Sequence, residues 1–331
     1  MKLGIVGTGL IVDTLFQFIE EIDNIEITAL CGTVHSKDKI ELLSTSHNIS
    51  NTFTDYNQFL KSDSFDTVYV AVPNYLHYQF SKQALLANKN VICEKPFTTN
   101  YKQAANLAKI AQEKKLIIVE AISSIHNPNF IKIKELVNNL GDIKIVTLNY
   151  TQYSSRYDAF MQGNILPAFD VNKSGGALMD LNVYNIHFVT ELFGNCQKVA
   201  YYPNIERNID TSGILIMEYP NFKVVSIAAK DCASPFTNSI QGNKGAIYTN
   251  SPLYTLTDFT YQLNKQQPMH YDLTQGMHRM KPEFIDFASI IENKDFQQAE
   301  KLLNHSLVVM DVLTKARESG NIVFADDKTE L

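Results

Sequence analysis

The N-terminal part of the chain, up to about Glu120, alternates short apolar runs with longer amphipathic stretches. This alternation constrains the fold more than any other feature, because it is typical of a parallel sheet whose strands are connected by helices. It predicts a doubly wound α/β fold. The apolar runs predict strands at Lys2–Val6, Ile25–Cys31, Thr67–Val72, Asn90–Cys93 and Leu116–Glu120. The amphipathic stretches predict helices at Ile11–Ile22, Lys37–His47, Tyr75–Asn88 and Asn100–Lys114, with Thr98, Thr99 or Asn100 as the N-cap of the last.

The pattern changes after Ile125, where extended segments follow one another without regular helical crossovers. Hairpin-type, mainly antiparallel pairing is therefore expected, in a single α+β domain. The strands are predicted at Ile143–Tyr153, Val199–Pro203, Gly213–Tyr219 and Lys223–Ala229, and the helices at Asn129–Asn139, from near Gly176 to Phe193, at Pro282–Glu292 and at Gln298–Ser319. We predict two domains, residues 1–122 and 123–331.

Composition narrows the classes of function. A chain of 331 residues with 45% hydrophobic residues can bury two cores. Its net charge of −6 argues against a nucleic-acid groove, which needs clustered Lys and Arg. No apolar stretch is long enough for a bilayer, and the four cysteines are far apart. We expect no signal peptide before the first strand. We expect a cytoplasmic protein that acts on small molecules, without a membrane or nucleic-acid partner.

The turn after the first strand carries the sequence Gly7-Thr8-Gly9-Leu10-Ile11-Val12. Two glycines between a strand and a helix let the backbone approach a pyrophosphate, as in dinucleotide-binding folds. The third glycine of that fingerprint is replaced by Val12, which is expected to affect helix packing more than phosphate binding. The alternative is a tight turn in an α/β domain that binds no nucleotide.

The end of the second strand lacks the carboxylate that binds the adenine ribose of NAD. Gly32 and Thr33 stand there instead, followed by His35, Ser36 and Lys37. Small polar groups with nearby positive charge favour the 2′-phosphate of NADP over NAD. Alternatively, Lys37 and Lys39 only solvate a helix face.

Lys95 follows Glu94, directly after the predicted strand Asn90–Cys93. Open α/β sheets bind ligands at the carboxyl ends of their strands, where a cation can polarise a carbonyl or stabilise a phenolate. The alternative is an exposed lysine in a loop. The sequence does not determine whether the Lys95–Pro96 peptide bond is cis or trans.

A third group of polar residues lies in the second half, where Asp180, Tyr184 and His187 are spaced i, i+4 and i+7. In a helix this spacing places a carboxylate, a phenol and an imidazole on one face. The alternative is an ordinary amphipathic helix whose polar stripe meets water.

The order of these motifs resembles the Gfo/Idh/MocA oxidoreductases over essentially the whole chain. The matching segments are Gly7-Thr8-Gly9, Val72-Pro73-Asn74 with His77, Glu94-Lys95-Pro96, and Gly175-Gly176-Ala177-Leu178-Met179-Asp180 with Tyr184. The resemblance implies an N-terminal Rossmann domain and a C-terminal domain with an open sheet through which dimers or tetramers form. Many members have histidine four residues after the motif aspartate, whereas this chain has Tyr184. In this respect the chain resembles the branch of glucose-fructose oxidoreductase and dihydrodiol dehydrogenase.

The resemblance also implies an activity: NAD(P)-dependent hydride transfer to or from a sugar, polyol, diol or related carbonyl compound. Tyr184 becomes the acid/base, Lys95 favours its phenolate, and Asp180 orients Lys95 or the substrate. His187 binds substrate or is structural. A non-catalytic dinucleotide-binding sensor of the same fold is the alternative, whereas a zinc enzyme is disfavoured because no cluster of ligands has suitable spacing.

The resemblance implies two binding residues, and position in the chain suggests two more. Asn74 and His77 are expected at the nicotinamide end of the cleft. Arg156 and Asn172, in the polar loop between Tyr153 and Gly175, are expected to cover the substrate. Asn182 departs from the glycine that is common in the family. The complete expected cofactor set is Gly7, Thr8, Gly9, Leu10, Ile11, Gly32, Thr33, Lys37, Val72, Pro73, Asn74, His77, Glu94 and Lys95.

Overall fold

The computed structural model describes residues 1–328, which form two compact units. The first unit contains Met1–Ala121 and Glu283–Ser306, and the second contains Ile122–Pro282 and the described residues from 307 onward. The two domains predicted from the sequence, 1–122 and 123–331, place Glu283–Ser306 in the second domain, whereas in the structure this segment packs in the first unit. Phe284 provides a reason for it, because its ring packs edge-on against Phe18 and Tyr69, at centroid distances of 5.8 and 5.4 Å.

The sheet of the first unit has six parallel strands, β1 (Lys2–Val6), β2 (Glu26–Cys31), β3 (Asn51–Phe53), β4 (Thr67–Val70), β5 (Asn90–Glu94) and β6 (Ile118–Ala121). Their order is β3-β2-β1-β4-β5-β6, so the direction of strand addition reverses between β1 and β4. The doubly wound prediction is confirmed. In such sheets the carboxyl ends on either side of the reversal enclose a crevice.

The helices of this part are α1 (Leu10–Leu15), α2 (Lys37–Ser46), α3 (Tyr56–Leu60), α4 (His77–Leu86) and α5 (Tyr101–Lys114), with 3₁₀ turns at Ile19–Glu21, Val34–Ser36 and Asn74–Leu76. The side chain of Asn100 accepts a hydrogen bond from Gln103 N at 3.0 Å, which identifies Asn100 as the N-cap of α5. The helix predicted at Ile11–Ile22 is instead two short pieces. Strand β3 and helix α3 were not predicted, because three and five residues are too few to show a period.

The second unit contains an eight-stranded sheet made of β7 (Ile143–Thr151), β8 (Lys198–Glu206), β9 (Ile209–Glu218), β10 (Lys223–Ala229), β11 (Asn238–Gly242), β12 (Gly245–Thr249), β13 (Phe259–Leu263) and β14 (Met269–Tyr271). The order is β14-β13-β12-β11-β7-β10-β9-β8, and only the β7–β10 pair is parallel. The prediction of a mainly antiparallel second sheet is confirmed, although its last four strands were not predicted.

The remaining helices are α6 (Ser123–His126), α7 (Pro128–Leu136), α8 (Tyr157–Met161), α9 (Val183–Phe193), α10 (Lys281–Glu292) and α11 (Phe296–Ser319). Five residues of π-helix, Leu178–Asn182, lead directly into α9. Short 3₁₀ turns lie at Val137–Leu140, Pro167–Phe169, Val171–Lys173 and Ala325–Lys328. No helix among residues 1–328 combines the length and apolar character that a membrane crossing requires.

The two faces of the second sheet differ. One face contacts α9 and carries buried side chains such as Leu148 and Leu215. The other, which we call the open face, exposes the apolar side chains of Ile145, Tyr202, Ile214 and Tyr248. Tyr202 lies opposite Ile214 across β8 and β9, so these side chains are neighbours.

Candidate active site

The turn after β1 requires its first glycine. Gly7 has φ +119°, and a Cβ atom there would lie 2.1 Å from the carbonyl oxygen of Ala71. Its N–H donates to the Cys31 carbonyl at 2.9 Å, so the ends of β1, β2 and β4 meet at this residue. A Cβ on Gly9 would meet nothing within 4 Å, which leaves the backbone open to a ligand. Val12, at the position of the third glycine, is fully buried.

A cleft of about 790 Å³ opens beside this turn. Its volume lies in the range of small-molecule and cofactor sites. Burial and Asp55 raise the pKa of Cys31 in its wall to about 12, so the thiol is neutral. Eight of the expected cofactor residues line the cleft: Gly7, Thr8, Gly9, Ile11, Gly32, Thr33, Val72 and Pro73.

The end of β2 presents hydroxyl groups to the cleft. Thr33 N donates to Ser36 Oγ at 2.9 Å, which closes a capping box around the turn Val34–Ser36. Lys37 follows as an exposed residue, whereas Lys39 is paired with Asp13 at 2.7 Å. None of the cleft-lining residues in the described chain is Asp or Glu.

The structure gives His77 a different place from the one we expected. Its side chain is buried, with Nδ1 2.8 Å from the Pro96 carbonyl and Nε2 2.9 Å from the Val72 carbonyl. It therefore does not line the cleft but joins the loop after β4 to the loop after β5. Burial lowers the pKa of His77, against the opposing effect of the two carbonyl acceptors. The cause of this placement is the turn Asn74–Leu76, which directs the first residue of α4 inward.

Lys95 stands at the end of β5, half-buried, and its peptide bond to Pro96 is cis. The neighbouring Glu94 is buried and accepts a hydrogen bond from the Tyr69 hydroxyl on β4. The Glu94 side chain thus supports the sheet under Lys95 instead of lining the cleft. Leu10, the other expected residue next to the glycine turn, is exposed at the start of α1, and Asn74 is half-buried.

The helical segment of the second unit does not show a uniform polar face. Asp180 is 31% exposed at its side chain, Tyr184 is buried at 7%, and His187 is fully buried. The π-helical turns at Leu178–Asn182 change the angular step per residue, so the i, i+4, i+7 rule for a regular helix does not apply across them. His187 is thus a core residue in this structure, which favours the structural one of its two expected roles.

Asn182, where the related motif has glycine, is fully buried and hydrogen-bonded. Its Oδ1 accepts from Ser226 Oγ at 2.5 Å and from Asn185 Nδ2 at 3.1 Å. Ser226 lies on β10, so the asparagine ties the π-helical segment to the sheet. The Oδ1 atom of this larger side chain has two partners in the core, whereas the buried Nδ2 atom has no hydrogen-bond partner among the described residues.

Arg156 and Asn172 are exposed in the loop between β7 and the π-helical segment. Their backbone N–H groups form local bonds, to Ser154 Oγ at 3.3 Å and to Asp170 Oδ1 at 2.9 Å. A role for their side chains over a substrate stays a prediction.

Sequence reasoning missed a lysine that contacts the predicted site. Lys230 directly follows β10, and its Nζ lies 2.8 Å from Asp180 Oδ2. A signal for it was available, because Lys230 follows an apolar strand in the same way as Lys95. Within the described chain, no group of three or more His, Cys, Asp or Glu residues could hold a metal ion.

Three tyrosines surround the beginning of α9. The ring of Tyr150 lies 6.0 Å from Tyr184 and is stacked 5.2 Å from Tyr254, while Arg279 lies 5.6 Å over the Tyr254 ring. Burial raises the pKa of Tyr150 strongly, and the charges of Tyr184, Tyr254 and Asp180 add to the effect. The phenol of Tyr150 is therefore uncharged and forms one side of this cluster.

Asp210 holds the start of the same segment. Its Oδ2 accepts from Leu178 N at 2.7 Å and from the Tyr201 hydroxyl at 2.8 Å. Gly176 must be glycine, because a Cβ there would lie 2.0 Å from Asp210 Oδ1. Burial raises the pKa of Asp210 from 3.8 to about 6, although the hydrogen bonds and Lys230 oppose the shift.

The raised pKa of Asp210 predicts a pH-dependent effect on stability. Between pH values near 3.8 and 6 the folded protein keeps a proton that the unfolded chain has released, so stability falls as the pH rises through this window. Asp210→Asn retains an acceptor oxygen without the charge. We expect it to match the wild type near pH 4 and to exceed it by about 2–3 kcal/mol at pH 7.

Urea unfolding at several pH values measures this difference, with Asp142→Asn as the control at an exposed carboxylate. A stability difference that stays constant with pH would contradict the assignment.

Comparison with known proteins agrees with this architecture. Residues 1–122 match the Gfo/Idh/MocA model described as an oxidoreductase family with an NAD-binding Rossmann fold, and residues 130–248 match the model of the Gfo/Idh/MocA C-terminal domain. The chain is 29% identical over 329 residues to scyllo-inositol 2-dehydrogenase (NADP(+)) IolU of Bacillus subtilis, with 99% of both chains covered.

Two further similarities extend over the whole chain. It is 21% identical to trans-1,2-dihydrobenzene-1,2-diol dehydrogenase of Sus scrofa, with 99% of both chains covered. The crystal structure of KijD10, a 3-ketoreductase from Actinomadura kijaniata in complex with NADP and TDP-benzene, superimposes with a TM-score of 0.84 at 20% identity, covering 96% of this chain and 97% of that one. The structural similarity establishes the fold.

Proposed function

This chain belongs to the Gfo/Idh/MocA family of NAD(P)-dependent oxidoreductases, and from that premise we propose a specific chemistry for it. The reaction is hydride transfer at a CH–OH carbon of a sugar, polyol or diol, with Tyr184 as acid/base and Lys95 as its electrostatic partner. The observation that carries the proposal is the cleft at the carboxyl ends of β1, β2 and β4, with Lys95 at the end of the adjacent strand β5.

The residues of the first unit fit a dinucleotide. Backbone near Gly9 is open to a phosphate, and the cleft is large enough for a nucleotide. When bound, NAD(P) supplies the hydride chemistry. His77 holds the two loops that carry Val72 and Pro96, and through Pro96 it restrains the backbone beside Lys95.

The residues of the second unit provide the proton chemistry. Oxidation of an alcohol requires removal of the hydroxyl proton, and reduction requires its return, so a single phenol serves both directions. A phenol with an ordinary pKa of about 10 is a weak base at neutral pH, which gives the Lys95 ammonium its role.

Turnover tests the proposed roles. Scyllo-inositol and trans-1,2-dihydrobenzene-1,2-diol, named for the relatives, are the probe substrates, with NADP⁺ and NAD⁺ as oxidants. Lys95→Ala and Tyr184→Phe are each expected to lower kcat by about 10²–10⁴-fold, because each removes one part of the acid/base system. Lys102→Ala, at an exposed position of α5, is the matched control.

Near-native turnover of Tyr184→Phe would remove the phenol from the mechanism. If the wild type binds a cofactor but turns over neither probe substrate, the alternative of a non-catalytic dinucleotide-binding sensor would be favoured.

We further propose NADP as the cofactor, because the cleft lacks a carboxylate for the ribose and Thr33, His35 and Lys37 stand at the end of β2. Since the protein has no tryptophan, the intrinsic fluorescence of NADPH and NADH reports binding without interference from indole. We expect tighter binding of NADPH. Lys37→Ala should weaken NADPH binding about 10-fold or more and leave NADH binding unchanged, because it removes a charged donor to the phosphate.

Lys39→Ala is the control, since its ammonium is already paired with Asp13. Equal affinities for the two cofactors would refute the preference.

The open face is proposed to bind a second copy of the chain. Its exposed Ile145, Tyr202, Ile214 and Tyr248 form an apolar surface on one sheet. Light scattering after size exclusion should give at least twice the chain mass of 37.4 kDa. Ile214→Asp should dissociate the assembly, whereas Leu42→Asp, which changes an exposed apolar residue of α2, should not. A wild-type monomer would exclude this interface.

A further inference from the structure

Lys230 is a buried cation with three contacts. Its side chain is 3% exposed, and its Nζ lies 2.8 Å from Asp180 Oδ2 and 2.7 Å from the Ala168 carbonyl. It also lies 4.5 Å from the centroid of the Phe169 ring. A buried ammonium group costs free energy unless it is paired and hydrogen-bonded, and these contacts meet that requirement.

The ion pair is asymmetric in its burial. Lys230 is enclosed, whereas the Asp180 side chain keeps 31% of its surface exposed. Ala168 also accepts a hydrogen bond from Gly176 N at 3.1 Å, so the lysine holds both the loop and the helical segment that carries Asp180. A hydrophobic pair in this place would often be equally stable, so stability alone does not explain the charges.

The charges around Tyr184 give the ion pair a chemical consequence. The charges of Asp180 and Tyr184 both raise the pKa of Tyr150, whose ring is 6.0 Å from that of Tyr184, so the carboxylate and the phenol share this buried neighbour. Within the second unit, the other titratable and charged groups near this cluster are Tyr254 from the segment after β12 and Arg279. A bare carboxylate here would oppose ionisation of a phenol.

Lys230 has two further acidic neighbours. Its charge lowers the pKa of the buried Asp210, and Asp231 follows it in the chain. Asp231 accepts from Thr211 Oγ1 at 2.7 Å and from Ser212 Oγ at 2.9 Å, so its Oδ2 is directed at β9. Asp180 is therefore the acid at which the ammonium makes its direct ion pair.

We propose that Lys230 is a positioning residue of the active site, which neutralises and orients Asp180 so that Tyr184 can ionise beside it. The inference rests on the proposed function of Tyr184. It assigns Lys95 and Lys230 separate tasks: Lys95 acts on the phenol, and Lys230 cancels the carboxylate that would oppose it.

The test compares Lys230→Met with Lys230→Arg. A nearby charge typically moves the titration of an ionisable group by about one to two pH units. For scyllo-inositol oxidation with NADP⁺, the rising limb of the kcat–pH profile should move to higher pH by that amount in Lys230→Met. It should stay in place in Lys230→Arg, which keeps the charge.

Two Asp180 variants complete the charge cycle. Asp180→Asn removes the carboxylate that pairs directly with Lys230 and should move the limb to lower pH, and Asp180→Asn with Lys230→Met should return it toward the wild-type position. A purely structural role predicts a lower kcat or less folded protein with an unmoved limb, which would overturn the proposal. If Lys230→Met does not fold, the displacement between Asp180→Asn and the double variant decides, because these two proteins differ only at residue 230.

A readout without substrate separates this inference from the proposed function. The ¹³Cζ signal of Tyr184, assigned by its loss in Tyr184→Phe, follows ionisation of the phenol directly. The Tyr184 titration should move to higher pH in Lys230→Met and stay at the wild-type position in Lys230→Arg, even if no probe substrate turns over. A Tyr184 titration that is unchanged in Lys230→Met would refute the inference, whatever the outcome of the turnover assay.

Discussion

The close approach of backbone at Gly7 is the constraint on which the first unit depends. The space that a side chain would fill is occupied by the Ala71 carbonyl, and the Gly7 N–H is bonded to the Cys31 carbonyl. Three strand ends can converge only because nothing projects between them. The cleft, the open backbone at Gly9 and the neighbouring loops after β4 and β5 all follow from that convergence. Val12 fits because the packing function of the third glycine is separate from the two positions that face the cleft.

In the second unit, the structure depends on the burial of two charged side chains. Asp210 and Lys230 are both enclosed, and each acts on the segment that carries Asp180 and Tyr184. Asp210 anchors its beginning at Leu178 N, while Lys230 anchors Asp180 itself. Such groups are costly to bury, and their positions are therefore well defined by the partners they need. Asn182 adds a neutral contact to β10.

Much of the fold could be predicted from the sequence. Apolar runs of strand length located β1, β2, β4 and β5, and the glycine pair located the cleft, since both are local signals. Strands β3 and β14 were missed because three residues are too few to show a period. Strands β11 and β12 have five residues each, but some of their buried positions are polar, such as Asn238 and Thr249, so they lack the continuous apolar run of β1. The π-helical turn at Leu178–Asn182 was also missed, since its stabilising contacts come from Asp210 and Ser226, which are distant in sequence.

The sequence by itself determined the family, the doubly wound sheet and the placement of Lys95 after β5, because each depends on neighbouring residues and on the alternation of apolar and polar segments. Only the tertiary structure decided that His77 joins two loops and that His187 is a core residue. It also brought Lys230 to Asp180, fifty residues away along the chain. Periodicity records that a side chain is buried, but which polar group it meets there depends on strand order and register. Those are properties of the assembled sheet, and no local stretch of sequence contains them.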